Sequence, residues 1–334
     1  MNSDDRADLE ELGWNERFAS AFDAFDDDRV EPGRLAADYG TKFLVQLAGS
    51  APLATLGSAL REARLVAVGD WVAVRNTPHA AEIRTVLPRQ SAITREAPGS
   101  ETAAQVIAAN VDRVLIATST DTDFNLRRIE RLLTVAYQSG AAPLIVLTKV
   151  DLNNPDPFKV ELERIAGGVP VVAVSGRTGA GVETVRMHLS RGKTAVLLGS
   201  SGVGKSTLIN RLLGEEVLRT AEVHRSGQGR HTTSHRQLLK VPGGGLVIDT
   251  PGLREIQLWA GAEALAEVFL DIEALALRCR FTDCRHETEP DCAVVAALEG
   301  GTLEASRFTS YRKLQRELRA IEVKADVRVK RRWE

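Results

Sequence analysis

The sequence predicts an α/β protein in three parts: a small N-terminal β-barrel, a central, mostly parallel sheet with helices on both faces, and a helical C-terminal part. Three observations carry this reading. From about Asp38 to Pro98 the chain consists of short β-rich runs broken by Gly, Asp and Pro. From about residue 110, buried-type apolar strands alternate with helical stretches. Beyond that alternation the pattern turns helical and is interrupted by a cysteine–histidine cluster. A chain of 334 residues is long enough for two or three domains.

Residues 1–35 form an acidic extension. Residues 1–40 carry twelve acidic and four basic side chains, and "LEELGWNERFASAFDAF" has the periodicity of one amphipathic helix. The "DDD" run and "EPG" then break it. Residues 36–98 supply the barrel runs "TKFLVQLAG", "ARLVAVGDWVAVRN" and "AAEIRTVLPRQSAITRE". In "VGDWVAV", apolar and polar residues alternate after a Gly69-Asp70 turn, a pattern that suits an SH3-like or an OB barrel.

Residues 99–257 hold the alternating region. "VDRVLIATST", "APLIVLT", "VPVVAVS", "KTAVLLG" and "GGLVIDT" read as strands. "FNLRRIERLLTVAYQSG" (ended by Gly140), "PFKVELERIAGG", "AGVETVRMHLSRG" and "KSTLINRLLG" read as helices. Residues 258–334 are helical and close on a basic tail, with ten Lys or Arg against five Asp or Glu from Leu303 onward. Such a tail suits a phosphate backbone, or is simply a solvated helix end.

Hydrophobic residues make up 43% and charged residues 26%, with a net charge of −2, as in an ordinary globular protein. No run approaches the roughly 18 to 20 apolar residues of a membrane span. The acidic start "MNSDDRADLEELGWNE" lacks the basic and apolar regions of a signal peptide. A cytoplasmic protein without a membrane partner is expected.

The segment "GSSGVGKS", Gly199, Ser200, Ser201, Gly202, Val203, Gly204, Lys205 and Ser206, matches G-x-x-x-x-G-K-[ST] between a strand and a helix, with Thr207 following. Its glycines let backbone N–H groups cradle phosphates at a helix N-terminus. Lys205 is expected to neutralise the β- and γ-phosphates, and the Ser206 hydroxyl to coordinate Mg²⁺. "DTPG", Asp249 to Gly252, follows a strand 44 residues after Lys205. Asp249 is expected to hold Mg²⁺, and the Gly252 N–H to sense the γ-phosphate. In the intervening "GQGRHTTSHR", Thr233 is the preferred residue to complete the Mg²⁺ shell, with Thr232 as the alternative; an ordinary solvated loop is the competing reading.

Base choice falls to "TKVD": Thr148, Lys149, Val150 and Asp151. A carboxylate at a strand end accepts both guanine N1–H and the exocyclic amine, a donor pair that adenine lacks. Lys149 can lay its stem along base and ribose. Thr148 stands where the usual consensus has Asn, and the Ser175 backbone is expected to meet the guanine carbonyl. Base-reading motifs therefore precede phosphate motifs, a circular permutation of the usual GTPase order. Leu253 occupies the place of a water-orienting Gln, so His231 becomes the candidate for that role, with a solvent-facing loop histidine as the alternative.

Cys279, Cys284, His286 and Cys292 give C-x4-C-x-H-x5-C. Three thiolates and an imidazole make a closed tetrahedral set for one structural Zn²⁺ per chain, leaving no open position for catalysis.

Together "VGDWVAV", "TKVD", "GSSGVGKST", "GRHTT", "DTPG" and the Cys/His spacing resemble the RsgA (YjeQ) family of small-ribosomal-subunit biogenesis GTPases over roughly residues 36–334. The resemblance implies an OB-fold, a circularly permuted GTPase domain binding GTP and GDP, and a zinc domain. It implies action on a late, immature small ribosomal subunit and its rRNA; a monomer is expected. GTP hydrolysis would be stimulated by the subunit and accompany release from it. The competing readings are an RNA-binding factor that uses nucleotide mainly as a sensor, and an ATP-dependent kinase, which Asp151 disfavours.

Overall fold

The computed structural model describes residues 3–25, 27, 29–63, 66–96, 104–215, 236–250 and 262–331. His231, Thr232, Thr233, Gly252 and Leu253 lie outside the described residues.

The single helix expected near the N-terminus is split into α1 (Ser3–Glu11) and α2 (Glu16–Asp23). Gly13 sits at φ 94°, a left-handed conformation that glycine tolerates, and turns the chain. The Asn15 side-chain oxygen then caps α2 by accepting the Arg17 and Phe18 N–H groups. The turn buries Leu9, Trp14 and Phe18 against Trp71 and Leu87 in a small core of their own. The rings of Trp14 and Trp71 meet nearly edge-on at 4.7 Å.

The barrel comprises β1 (Glu31–Asp38), β2 (Phe43–Gln46), β3 (Leu53–Leu56), α3 (Ser58–Ala63), β4 (Trp71–Asn76) and β5 (Ala81–Val86). Its strand order is β1-β2-β3-β5-β4, closed by β1 on β4, and β3 runs parallel to β5. That Greek-key closure, with α3 between the third and fourth strands, selects the OB barrel over the SH3-like alternative. β1 begins at Glu31, so this barrel strand reaches back across the border expected at residue 36.

The "GD" of "VGDWVAV" has a definite task. Gly69 is at φ 93°, and a Cβ there would lie 2.2 Å from the Ala109 carbonyl oxygen, so only glycine allows this approach. Asp70 is fully buried and accepts two hydrogen bonds from the Arg89 guanidinium, at 2.7 and 2.8 Å, and one from the Ala67 N–H. β6 (Ala92–Glu96) and β7 (Ala104–Ala109), which flank the border expected between residues 98 and 99, pair antiparallel with each other.

The central region runs β8 (Arg113–Ser119), α4 (Leu126–Ser139), β9 (Ala142–Thr148), α5 (Asp156–Ile165), β10 (Val171–Ala173), α6 (Val182–Met187), β11 (Thr194–Leu198), α7 (Lys205–Leu213), β12 (Gln237–Lys240) and β13 (Leu246–Asp249). In space the strands lie β10-β9-β8-β11-β13-β12, all parallel except β12. Alternate residues of β9 explain its continuous apolar run. Leu144 and Val146 face the core under α6 and α7, while Ile145 and Leu147 face the core under α4. β12 adds an antiparallel edge and pairs with β1 at Ala37 and Gln237, so the sheet continues into the barrel.

A buried guanidinium ties three regions together. Arg34 donates to the carbonyls of Leu12 in the α1–α2 turn, Gly69 in the barrel and Asn110 ahead of β8. The acidic extension is thus a packed part of the fold, anchored also by Glu11, which pairs with Arg191 and Lys240.

The C-terminal part contains α8 (Ala262–Val268), α9 (Leu270–Ala276), α10 (Ala293–Glu299) and α11 (Ala305–Arg331). It docks on α4 through Arg307, which pairs with buried Glu130 at 2.9 Å and with Asp271 at 2.6 Å, and through Arg131 with Glu317 at 2.6 Å. Among the described residues, no helix is long and apolar enough to cross a membrane.

Candidate nucleotide site and metal centre

β11 lies between β8 and β13, so the loop after it opens where the C-terminal ends of three parallel strands converge. Gly199, at φ 149°, leaves β11 so close to β8 that a Cβ would sit 2.5 Å from the Ala117 carbonyl oxygen. Gly202 and Gly204, at φ 80° and 105°, complete the turn into α7, which starts at Lys205 with no side-chain cap. Its first N–H groups therefore have no side-chain acceptor of their own, and the helix dipole favours an anion there. Lys205 Nζ donates to the carbonyls of Gly199 and Ser200 at 2.8 and 2.5 Å, which holds it across the loop mouth. Burial lowers the pKa of Lys205, opposed by the charge of Asp249. Burial likewise raises that of Asp249 at the end of β13, opposed by Lys205. Each charge therefore lacks full hydration and is suited to ligands of opposite sign. Ser206 and Thr207 follow in the first turn of α7.

The base-reading segment leaves β9, two strands away. Thr148 is buried, and its hydroxyl lies 2.6 Å from the Val203 carbonyl oxygen in the phosphate loop and 3.0 Å from that of Thr118 on β8. The hydroxyl thus links the two halves of the site from the place of the usual amide. Lys149 adopts φ 57°, and its Nζ pairs with Asp121 at 2.8 Å. The Val150 N–H bonds the Val174 carbonyl, joining the segment to the loop after β10. Asp151 accepts a 2.7 Å hydrogen bond from the Ser175 hydroxyl, which lowers its pKa.

The geometry corrects the expected role of Ser175. Its N–H donates to the Ala180 carbonyl at 2.9 Å and so is not available to a guanine carbonyl. Ser175 instead orients Asp151. The next residue, Gly176, lies on the cavity wall, so close to α7 that a Cβ would meet Thr207 Cγ2 at 2.8 Å. Arg211 holds this loop by donating to the Gly176 and Arg177 carbonyls.

Thr148, Lys149, Asp151, Gly176, Gly202, Gly204 and Thr207 line one cavity. The sheet thus brings both motif groups together although "TKVD" and the phosphate loop are far apart in the chain. Two further residues had no motif to announce them. Asp121 and Asp123, in the turn after β8, touch Lys149 and the Ser200 hydroxyl respectively. Their one sequence signal is carboxylates at the C-terminal end of a strand that neighbours β11.

In the C-terminal part, Cys279, Cys284, His286 and Cys292 bring their ligand atoms within 4.8 Å of one another. Cys279 Sγ and Cys292 Sγ are 3.8 Å apart, and His286 Nδ1 lies 3.6 and 3.4 Å from them. A tetrahedral zinc with ordinary Zn–S and Zn–N bonds requires S···S of about 3.8 Å and S···N of about 3.5 Å. The donor set fits a structural zinc.

The chain matches the model of the RsgA GTPase family over residues 86–259. It is 49% identical to the small ribosomal subunit biogenesis GTPase RsgA of Opitutus terrae over 328 residues, covering 92% of this chain and 89% of that relative. The chain belongs to the RsgA GTPase family. Streptomyces coelicolor has a relative of the same description at 43% identity, covering 96% of this chain and 90% of its own. The solved structure of YjeQ from Thermotoga maritima matches with a TM-score of 0.64 at 31% identity, over 86% of this chain and 98% of that one. YloQ, described as a circularly permuted GTPase, matches in fold with a TM-score of 0.63 at 23% identity, over 89% of this chain and 97% of that one. As a member of this family, the protein is a GTP hydrolase with the permuted motif order seen in its own sheet.

Proposed function

We propose that this GTPase binds the immature small ribosomal subunit, assists its late maturation and leaves it when GTP is hydrolysed. The observation that carries the reading is whole-chain similarity: relatives named small ribosomal subunit biogenesis GTPase match 92% and 96% of this chain at 49% and 43% identity. OB barrels commonly bind nucleic acid, and the basic C-terminal segment suits rRNA phosphates. The protein works as a monomer in the cytoplasm.

Within the site, Asp151 reads the guanine N1–H and amine, the Gly176 N–H takes the guanine carbonyl, and Lys205 with the α7 N-terminus holds the phosphates. Ser206 and Asp249 offer the hard oxygen ligands that Mg²⁺ prefers, and the ion would neutralise charge developing on the β- and γ-phosphate oxygens. On sequence grounds Thr233 joins that shell, Gly252 senses the γ-phosphate and His231 orients water. A leucine at 253 can do none of this, so the unassisted rate is slow and the subunit accelerates it.

The test is GTP turnover with and without purified small subunits, alongside Lys205→Ala. Strong stimulation by the subunit is expected. Equal slow rates, with normal subunit maturation by the Lys205 variant, overturn the proposal.

A further inference from the structure

The turn after β8 grips both halves of the nucleotide site. On the base side, Asp121 Oδ2 pairs with Lys149 Nζ at 2.8 Å, and the Thr120 hydroxyl donates to the Lys149 carbonyl at 2.8 Å. On the phosphate side, the Ser200 hydroxyl donates to Asp123, which also pairs with Arg128 at 2.8 Å. Asp121 is itself held in place: its Oδ1 accepts the Ser119 hydroxyl at 2.6 Å and the Asp123 N–H at 3.0 Å. Such a carboxylate is a fixed anchor rather than a mobile surface charge.

Lys149 needs an anchor. Its stem has four rotatable bonds, its backbone is left-handed, and it lines the cavity. A lysine free to roam would have to be ordered each time a nucleotide binds, and that entropy opposes affinity. We propose that Asp121 is a positioning residue for guanine-nucleotide binding, acting through Lys149 by holding its stem extended along the wall where base and ribose lie. This rests on the assignment of the cavity as the guanine site. The opposite role, a carboxylate that sequesters Lys149 until nucleotide displaces it, predicts a change of opposite sign.

The experiment titrates the full-length protein with a fluorescent GDP analogue and with unlabelled GDP, GTP and ADP in competition. Wild type is measured first; equal affinity for GDP and ADP breaks the guanine assignment itself, independently of Asp121. Asp121→Asn, Lys149→Ala and the double variant are then compared. Asparagine keeps the size of the side chain and an acceptor oxygen, but lacks the charge that holds the ammonium. The expected result is roughly threefold to tenfold weaker binding of both GDP and GTP by Asp121→Asn. In the Lys149→Ala background the same substitution should cause no further loss. A full additional loss in that background overturns the proposal, because Asp121 would then act on the loop and not through Lys149. Unchanged affinity, or tighter binding, overturns it equally.

Discussion

Replacing Thr148 by valine removes one hydroxyl and leaves the side-chain shape nearly intact. That hydroxyl is almost fully buried and stands 2.6 Å from the Val203 carbonyl in the phosphate loop and 3.0 Å from the Thr118 carbonyl. It has one proton, so the shorter contact carries the main hydrogen bond. Valine leaves the Val203 carbonyl facing a methyl group, at a cost of about 1–3 kcal/mol for an unsatisfied buried acceptor. The carbonyl belongs to the loop proposed to hold the phosphates, so much of the cost should appear as lost nucleotide affinity. A central value of about 1.5 kcal/mol corresponds to roughly a tenfold rise in Kd. Any remainder lowers the nucleotide-free melting temperature by a few degrees, at about 2–4 °C per kcal/mol for a domain of this size. The assay pairs GDP and GTP titration with thermal melting in the absence of nucleotide. A Kd within about twofold of wild type would falsify the view that this hydroxyl joins the base-reading and phosphate-binding halves.

Asp151→Asn should weaken guanine-nucleotide binding by tenfold or more, about 1.5–3 kcal/mol for a charged hydrogen-bonding group, and shift preference toward xanthine nucleotides; competition with both nucleotides checks it. Metal analysis should find one zinc per chain, and stripping the metal should unfold residues around 279–292 while the nucleotide site still binds GDP. Arg307→Met removes the charged partner of Glu130, whose pKa burial already raises, and should cost about 3 kcal/mol at neutral pH. The sign follows from a carboxyl whose folded pKa lies above its unfolded one: the stability it contributes is present below the ordinary carboxylate range and lost as pH rises. Denaturant melts of this variant should therefore lie nearer wild type at pH 5 than at pH 8; a constant gap argues against a buried Glu130 left without a countercharge.

The chemistry of the site was legible because it depends on residue type at short spacing. A phosphate loop must have its glycines, lysine and hydroxyl in one run, and four zinc ligands must lie close together in a loop too short to have a core. Both groups stand where the sequence placed them. The Ser175 role was misread because sequence shows that a residue follows a strand, but not which of its polar groups the turn consumes. Here the turn to Ala180 uses the N–H, leaving the hydroxyl for Asp151. The N-terminal helix was misjudged for a similar reason. Its periodicity continues across Gly13, but the left-handed Gly13, the Asn15 cap and the burial of Trp14 on Trp71 together break it.

What the sequence determined by itself was the set of chemical tools and the order in which the chain carries them. That order already identified a permuted GTPase, since guanine reading and phosphate binding each rest on a short contiguous motif. Tertiary structure decided how those tools meet. The β10-β9-β8-β11-β13-β12 order sets "TKVD" beside the phosphate loop, so that the Thr148 hydroxyl reaches Val203. It also lays the β8 turn across both, and joins the barrel to the sheet through the pairing of β1 with β12. These contacts link residues tens of positions apart, and their existence depends on strand order, which no local pattern in the chain encodes.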